Sequence, residues 1–101
     1  MTSNCYNGIG SVYHRTGKFS SAILNYEKAL TVGKLFYDEE HPSIATQYNN
    51  LGTVYETIKD FEMASIHYDK AFEIFMKTLG ENHPNTKLLL HKISDLKKKR
   101  S

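Results

Sequence analysis

Shifted against itself by 42 residues, the chain repeats. Tyr6, Asn7, Gly10, Val12 and Tyr13 fall on Tyr48, Asn49, Gly52, Val54 and Tyr55. Phe19, Ala22, Tyr26, Lys28 and Ala29 fall on Phe61, Ala64, Tyr68, Lys70 and Ala71, and Glu39, His41 and Pro42 on Glu81, His83 and Pro84. These are 13 identities over the 39 pairs from Tyr6 to Ile44. A fixed period of this size constrains the fold strongly. Each copy must be one small unit whose apolar face is buried by its neighbour.

Each unit reads as two helices. Tyr48, Leu51, Gly52 and Tyr55 recur at i, i+3, i+4 and i+7, one face of a helix. Pro42 suits the first turn of that helix, where its missing N–H costs nothing. A polar break at Ile58-Lys59-Asp60 separates it from a second stripe of Phe61, Ala64, Tyr68, Ala71, Phe72, Phe75 and Leu79. Gly80 stands where a left-handed C-terminal cap belongs. No segment alternates with period two, so no strands are expected. The pattern predicts five helices: about 3–15 and 18–36, about 42–58 and 61–79, and a single helix over about 84–99. In the last, Leu89, Ile93 and Leu96 should cover the open face of the second pair, forming a polar-backed terminal cap. Residues 1–101 would form a single domain, with repeat one at about 3–37 and repeat two at about 42–79.

Small residues indicate how the helices meet. Gly10 and Gly52 sit on apolar faces, although glycine inside a helix costs about 1 kcal/mol against alanine. Close approach explains them: the partner helix can lay Ala64 or Tyr68 directly on the backbone at Gly52. Tyr13, Tyr26, Tyr55 and Tyr68 would fill the wedges between helices, each hydroxyl reaching solvent or a partner.

The motif Tyr-x-x-Ile-Gly-x-x-Tyr at 6–13, followed by Ala22, Tyr26 and Ala29, resembles the tetratricopeptide repeat. The second copy has the same motif from Tyr48, with Ala64, Tyr68 and Ala71. The period of 42 and the phrases His-Pro-Ser-Ile-Ala-Thr-Gln-Tyr-Asn-Asn-Leu-Gly (41–52) and Leu-Gly-Glu-Asn-His-Pro (79–84) resemble the long repeats of kinesin light chain. The resemblance implies an all-α fold of antiparallel helix pairs stacked in a right-handed superhelix, an α-solenoid that scaffolds other proteins without catalysis. There are departures. The chain has no Trp, Tyr6 and Tyr48 standing at the first aromatic position. Tyr37-Asp38 replaces Leu79-Gly80, so the first long helix should end less cleanly, and Gly33, aligned with Phe75, should loosen it. The heptads through which light chains meet heavy chains are absent, so this is not a whole kinesin light chain.

Composition removes several function classes. Hydrophobic residues make up 40% and charged residues 24%, the balance of a folded soluble protein rather than a disordered one. No apolar run approaches the roughly 20 residues that span a bilayer, and no secretory signal opens the chain. A single Cys excludes an intrachain disulfide and any multi-Cys zinc site. A reduced, cytoplasmic setting is expected. Residues 1–86 carry seven Lys/Arg against ten Asp/Glu, while residues 87–101 carry six against one. The excess of cations is therefore local to the tail Lys97-Lys98-Lys99-Arg100, which suits a helix C-terminus, and no nucleic-acid partner is asked for.

Motifs that could carry chemistry fail on spacing. Gly8-Ile9-Gly10 would need a third glycine where Tyr13 stands, and no strand precedes it. Gly17-Lys18 is followed by Phe19 instead of Ser or Thr, so Gly17 reads as a turn. No two of His14, His41, His67, His83 and His91 are spaced i, i+4, and His41 and His83, each before a proline, read as helix starts. Cys5 and His14 are nine residues apart, on opposite helix faces and ~13 Å apart along the axis, too far for a dyad. No catalytic, cofactor or metal site is expected.

A surface stripe remains. Removing the packing positions from residues 42–58 leaves Thr46, Asn49, Asn50, Thr53 and Thr57 on one face. Its counterparts include Asn7 and Ser11 in unit one and His91 and Lys92 in the last helix. By resemblance to tetratricopeptide domains, these first helices line the concave side where an extended peptide lies. Asn side chains there can donate to and accept from a peptide backbone. The partner-binding set is therefore Asn7, Ser11, Thr46, Asn49, Asn50, Thr53, His91 and Lys92, and the partner a protein or peptide. The carboxylate clamp of chaperone-binding members is mostly missing, since Asn7, Ser11 and Leu88 stand where it needs Lys, Asn and Lys. As an alternative, the chain is a structural or self-associating piece of a longer array. Unit one lacks a preceding helix to cover Phe19 to Tyr37, which leaves a repeat end exposed for a second copy.

Overall fold

The computed structural model describes residues 3–100. Five helices follow one another: α1 (Ser3–Arg15), α2 (Phe19–Phe36), α3 (Pro42–Thr57), α4 (Phe61–Thr78) and α5 (Pro84–Arg100). No strand occurs among the described residues. Every expected helix is present, its ends within one residue of the expected positions. Met1, Thr2 and Ser101, part of the expected 1–101 unit, lie outside the described residues. No helix among the described residues is long and apolar enough to cross a membrane.

Turn chemistry repeats with the sequence. After α1, Gly17 adopts φ +82°, and the Lys18 N–H donates to the Tyr13 carbonyl at 2.8 Å. At the same place after α3, Lys59 adopts φ +66°, and the Asp60 N–H donates to the Tyr55 carbonyl at 2.8 Å. The turn therefore forms without glycine at a cost that packing on either side offsets. Asp60 then accepts from the Met63 N–H and caps α4.

The His-Pro pair is a helix start, as its spacing implied. His41 Nδ1 accepts the Ser43 N–H at 3.0 Å, and His83 Nδ1 accepts the Asn85 N–H at 3.1 Å. Helix α4 ends on Gly80 at φ +85°, with the Leu79 and Gly80 N–H groups both on the Phe75 carbonyl. Helix α2 ends on an extended Tyr37 held by one bond to the Gly33 carbonyl. The plainer ending was expected. Gly33 is buried within an unbroken α2, where packing outweighs its low helix propensity.

Antiparallel pairs α1–α2 and α3–α4 stack through α2 against α3, and α5 closes on α4. Ala22, Tyr26, Leu51 and Val54 fill the first joint. A larger core joins Ile44, Ala45, Tyr48, Ala64, Tyr68, Ala71, Ile74 and Phe75 to Leu89 and Leu96 of α5, with Ile93 packed alongside. The glycines sit at true close approaches. A Cβ on Gly10 would lie 2.9 Å from the Tyr26 ring, and one on Gly52 only 2.6 Å from the Tyr68 ring. Of the two contacts proposed for Gly52, the structure selects Tyr68.

The expectation that Phe19–Tyr37 lacks cover needs correction. Helix α2 buries Ala22, Tyr26, Ala29 and Gly33 between α1 and α3. What lies open is the outer face of α1, where Val12 is 49% exposed while its counterpart Val54 is fully buried against α2. Helix α2 is exposed at Ser20, Leu24, Glu27, Lys28 and Thr31, and through its last turn at Lys34, Leu35 and Phe36.

Candidate functional site

The odd-numbered helices lie side by side, tied by side-chain bonds that share one spacing. Asn50 donates to Asn7 Oδ1 at 3.4 Å, and His14 Nε2 bonds Thr57 Oγ1 at 3.0 Å. One repeat later, Lys92 donates to Asn49 Oδ1 at 3.1 Å, and Lys99 to Glu56 Oε2 at 2.5 Å. All four rungs join residues 43 apart. Two rungs link α1 to α3 and two link α3 to α5, two turns apart along each helix.

Most of the expected stripe comes together here. Asn7, Asn49, Asn50 and Lys92 form rungs. Thr53 bonds the Asn49 carbonyl at 2.9 Å through its hydroxyl, which also receives Lys92 at 3.4 Å. Ser11 bonds the Tyr26 hydroxyl. Thr46 is exposed and turns its hydroxyl to the Pro42 carbonyl at 3.2 Å. It borders a cavity of about 210 Å³ between α3 and α5, together with Asn49 and Leu88. His91 is exposed and pairs with Asp95 on its own helix at 3.2 Å; no bond joins it to α3 among the described residues.

The sequence reading missed Glu56. Its Oε1 accepts the Tyr68 hydroxyl at 2.8 Å, its Oε2 binds Lys99, and Tyr68 also lies 3.4 Å from Thr53. Thr53, Glu56, Thr57, Tyr68, Lys92 and Lys99 surround a second cavity of about 350 Å³. Partial burial by itself would raise the Glu56 carboxyl. The bonds from Lys99 and Tyr68, with the charges of Lys99 and Lys92, outweigh it and hold the group below the usual carboxylate value. Burial pushes Lys92 below the usual lysine value, against the pull of Glu56. The Lys92 ammonium also stands 5.6 Å from the Tyr68 ring centre, a cation–π contact. Burial raises Tyr68 well above the usual phenol range, so its hydroxyl remains a donor. The missed signal was the 43-residue spacing from Glu56 to Lys99, visible only once the repeats are set side by side.

No group of three or more metal-ligating side chains occurs among the described residues. His14, discounted as half of a dyad, is used in a rung and meets Phe19 edge-on at 5.7 Å. Cys5 is exposed on α1.

The model of the tetratricopeptide repeat family matches residues 1–75 and 43–100. The chain belongs to the tetratricopeptide repeat family. Its fold superposes on the crystal structure of BtubC (BKLC) from P. vanneervenii with a TM-score of 0.89 at 26% identity. The match covers 97% of this chain and 39% of that one. The tetratricopeptide repeats here are of the kinesin-light-chain-like kind that their long period indicated. No curated protein matches the sequence. Repeats of this family serve in general as protein-interaction scaffolds.

Proposed function

We propose that the chain is a non-catalytic interaction module whose odd-helix face receives an extended segment of a partner protein, in a reduced, cytoplasmic setting. One observation carries the reading. The partly buried amides of Asn7, Asn49 and Asn50 stand beside one another across α1 and α3, each with hydrogen-bonding capacity beyond its rung. Planar amides at this spacing suit the alternating N–H and C=O groups of an extended backbone. The cavities between α3 and α5 offer room for side chains of that segment.

The test is selection of unstructured peptides against the chain, followed by binding measurements on Asn50→Ala and Lys92→Gln. Each variant should weaken a selected peptide about tenfold while the melting temperature stays within a few degrees. Lys92→Glu is a poor substitute, because it places a second carboxylate beside Glu56 and would act on folding. Peptides that bind both variants as well as the parent would overturn the proposal.

The open face of α1 supports a second reading, in which the chain is part of a longer array or pairs with a second copy through that face. A monomer at high concentration by light scattering would count against pairing.

A further inference from the structure

A separate surface lies at the end of the stack where α2 passes into α3. Leu35 and Phe36, in the last turn of α2, are 76% and 77% exposed. The second repeat shows that the fold does not need them. Their counterparts are Lys77, ion-paired with Glu40 at 2.9 Å and Glu73 at 3.4 Å, and Thr78, whose hydroxyl returns to the Ile74 carbonyl. Two large apolar side chains in water are disfavoured where a lysine and a threonine serve.

Three acids follow after Tyr37: Asp38, Glu39 and Glu40. Glu40 is engaged by Lys77, whereas the Asp38 and Glu39 side chains have no ion-pair partner among the described residues. The same acids border a cavity of about 550 Å³ that reaches Pro42 and Thr78. The loop is held in place: the Tyr37 ring stacks on His41 at 4.3 Å, and the His41 N–H binds the Asp38 carbonyl at 2.9 Å. Antiparallel packing adds Glu81, on the α4–α5 turn, to this end and sends the basic Lys97–Arg100 to the other.

We propose that this end docks a lysine- or arginine-rich segment of a partner protein that also carries large apolar side chains. Its apolar groups lie on Leu35 and Phe36, and its cations meet Asp38 and Glu39. Asp38, Glu39 and Glu81 disfavour phosphate at this end, and the glutamate control peptide tests whether the neighbouring Lys34, Lys70 and Lys77 outweigh them. The surface is distinct from the odd-helix face, so this proposal stands whether or not that face binds peptide.

The probe is a fluorescent leucine/lysine peptide patterned as an amphipathic helix, with its leucine/glutamate counterpart as control, read by anisotropy on the full chain. The lysine peptide should bind and the glutamate peptide should not, with affinity falling as salt rises. Leu35→Lys with Phe36→Thr, which installs the residues of the second repeat, should weaken binding about tenfold or more. Glu39→Lys should do the same without touching an apolar residue, and Asn50→Ala should leave binding unchanged. Equal binding of both peptides, or indifference to both surface variants, overturns the proposal. So does sedimentation showing that the surface variants only dissolve a self-association of the parent.

Discussion

The two joints of the stack follow one plan and are filled differently. Where α2 meets α3, the repeat positions carry Gly33 and Gln47; where α4 meets α5, they carry Phe75 and Leu89. The polar residue changes sides as well, since buried Ile44 of α3 corresponds to buried Thr86 of α5. The rungs differ in kind. Those between α1 and α3 join Asn50 to Asn7 and His14 to Thr57, while those between α3 and α5 use Lys92 and a Glu56–Lys99 ion pair. A repeat scaffold therefore conserves backbone approach and helix spacing and leaves the chemistry of each joint free to vary.

The glycine contacts give the largest test of that shared plan. Gly52→Ala should cost about 3 kcal/mol, because the added carbon lies 2.6 Å from a fully buried Tyr68 ring that cannot move aside. Gly10→Ala should cost about 2 kcal/mol, since Tyr26 is slightly farther away and its unit has an open side. Urea denaturation of both variants checks the order, and a neutral Gly52→Ala would contradict the packing described.

Next is the charged rung. Glu56→Gln should destabilise by about 1–2 kcal/mol at neutral pH, the scale of a hydrogen bond to a charged group. The native state lowers the Glu56 carboxyl below its unfolded value. Its contribution is then complete above the unfolded carboxylate range, about pH 4.3, and is lost as pH falls through the lower native value. Stability curves of parent and variant should therefore converge in acid. Parallel curves would mean that the ion pair does not stabilise the second joint.

The smallest effect should come from making the joints alike. Gln47 is buried in the first joint, and Leu89 occupies the same repeat position in the second. Gln47→Leu should shift stability by less than about 1 kcal/mol in the same denaturation experiment, because the apolar side chain offsets the hydrogen bonding lost with the amide. A larger loss would show that the first joint depends on the Gln47 amide.

Much of the architecture was legible from single residues. The tandem copies, the five helices, the His-Pro starts, the Gly17 and Gly80 turns and the Gly52–Tyr68 contact all depend on neighbours within one helical hairpin, where spacing maps directly onto geometry. At Gly33 the sequence gives only a local propensity, whereas its place in α2 adds burial between helices. Of the candidate site, Asn7, Asn49, Asn50, Thr53 and Lys92 come together as read, while His91 turns to Asp95 and Glu56 went unnoticed.

Taken alone, then, the order of residues determined a helical hairpin used twice and a polar stripe on its first helix. The tertiary structure decided which residues of adjacent hairpins touch. Neighbouring odd helices are offset so that partners stand 43 residues apart, one more than the repeat. No pattern within a single copy encodes that offset, because it arises from the rigid-body stacking of one pair on the next. The same stacking buries Val54 and exposes Val12, and it gathers Asp38, Glu39 and Glu40 at the end opposite Lys97–Arg100.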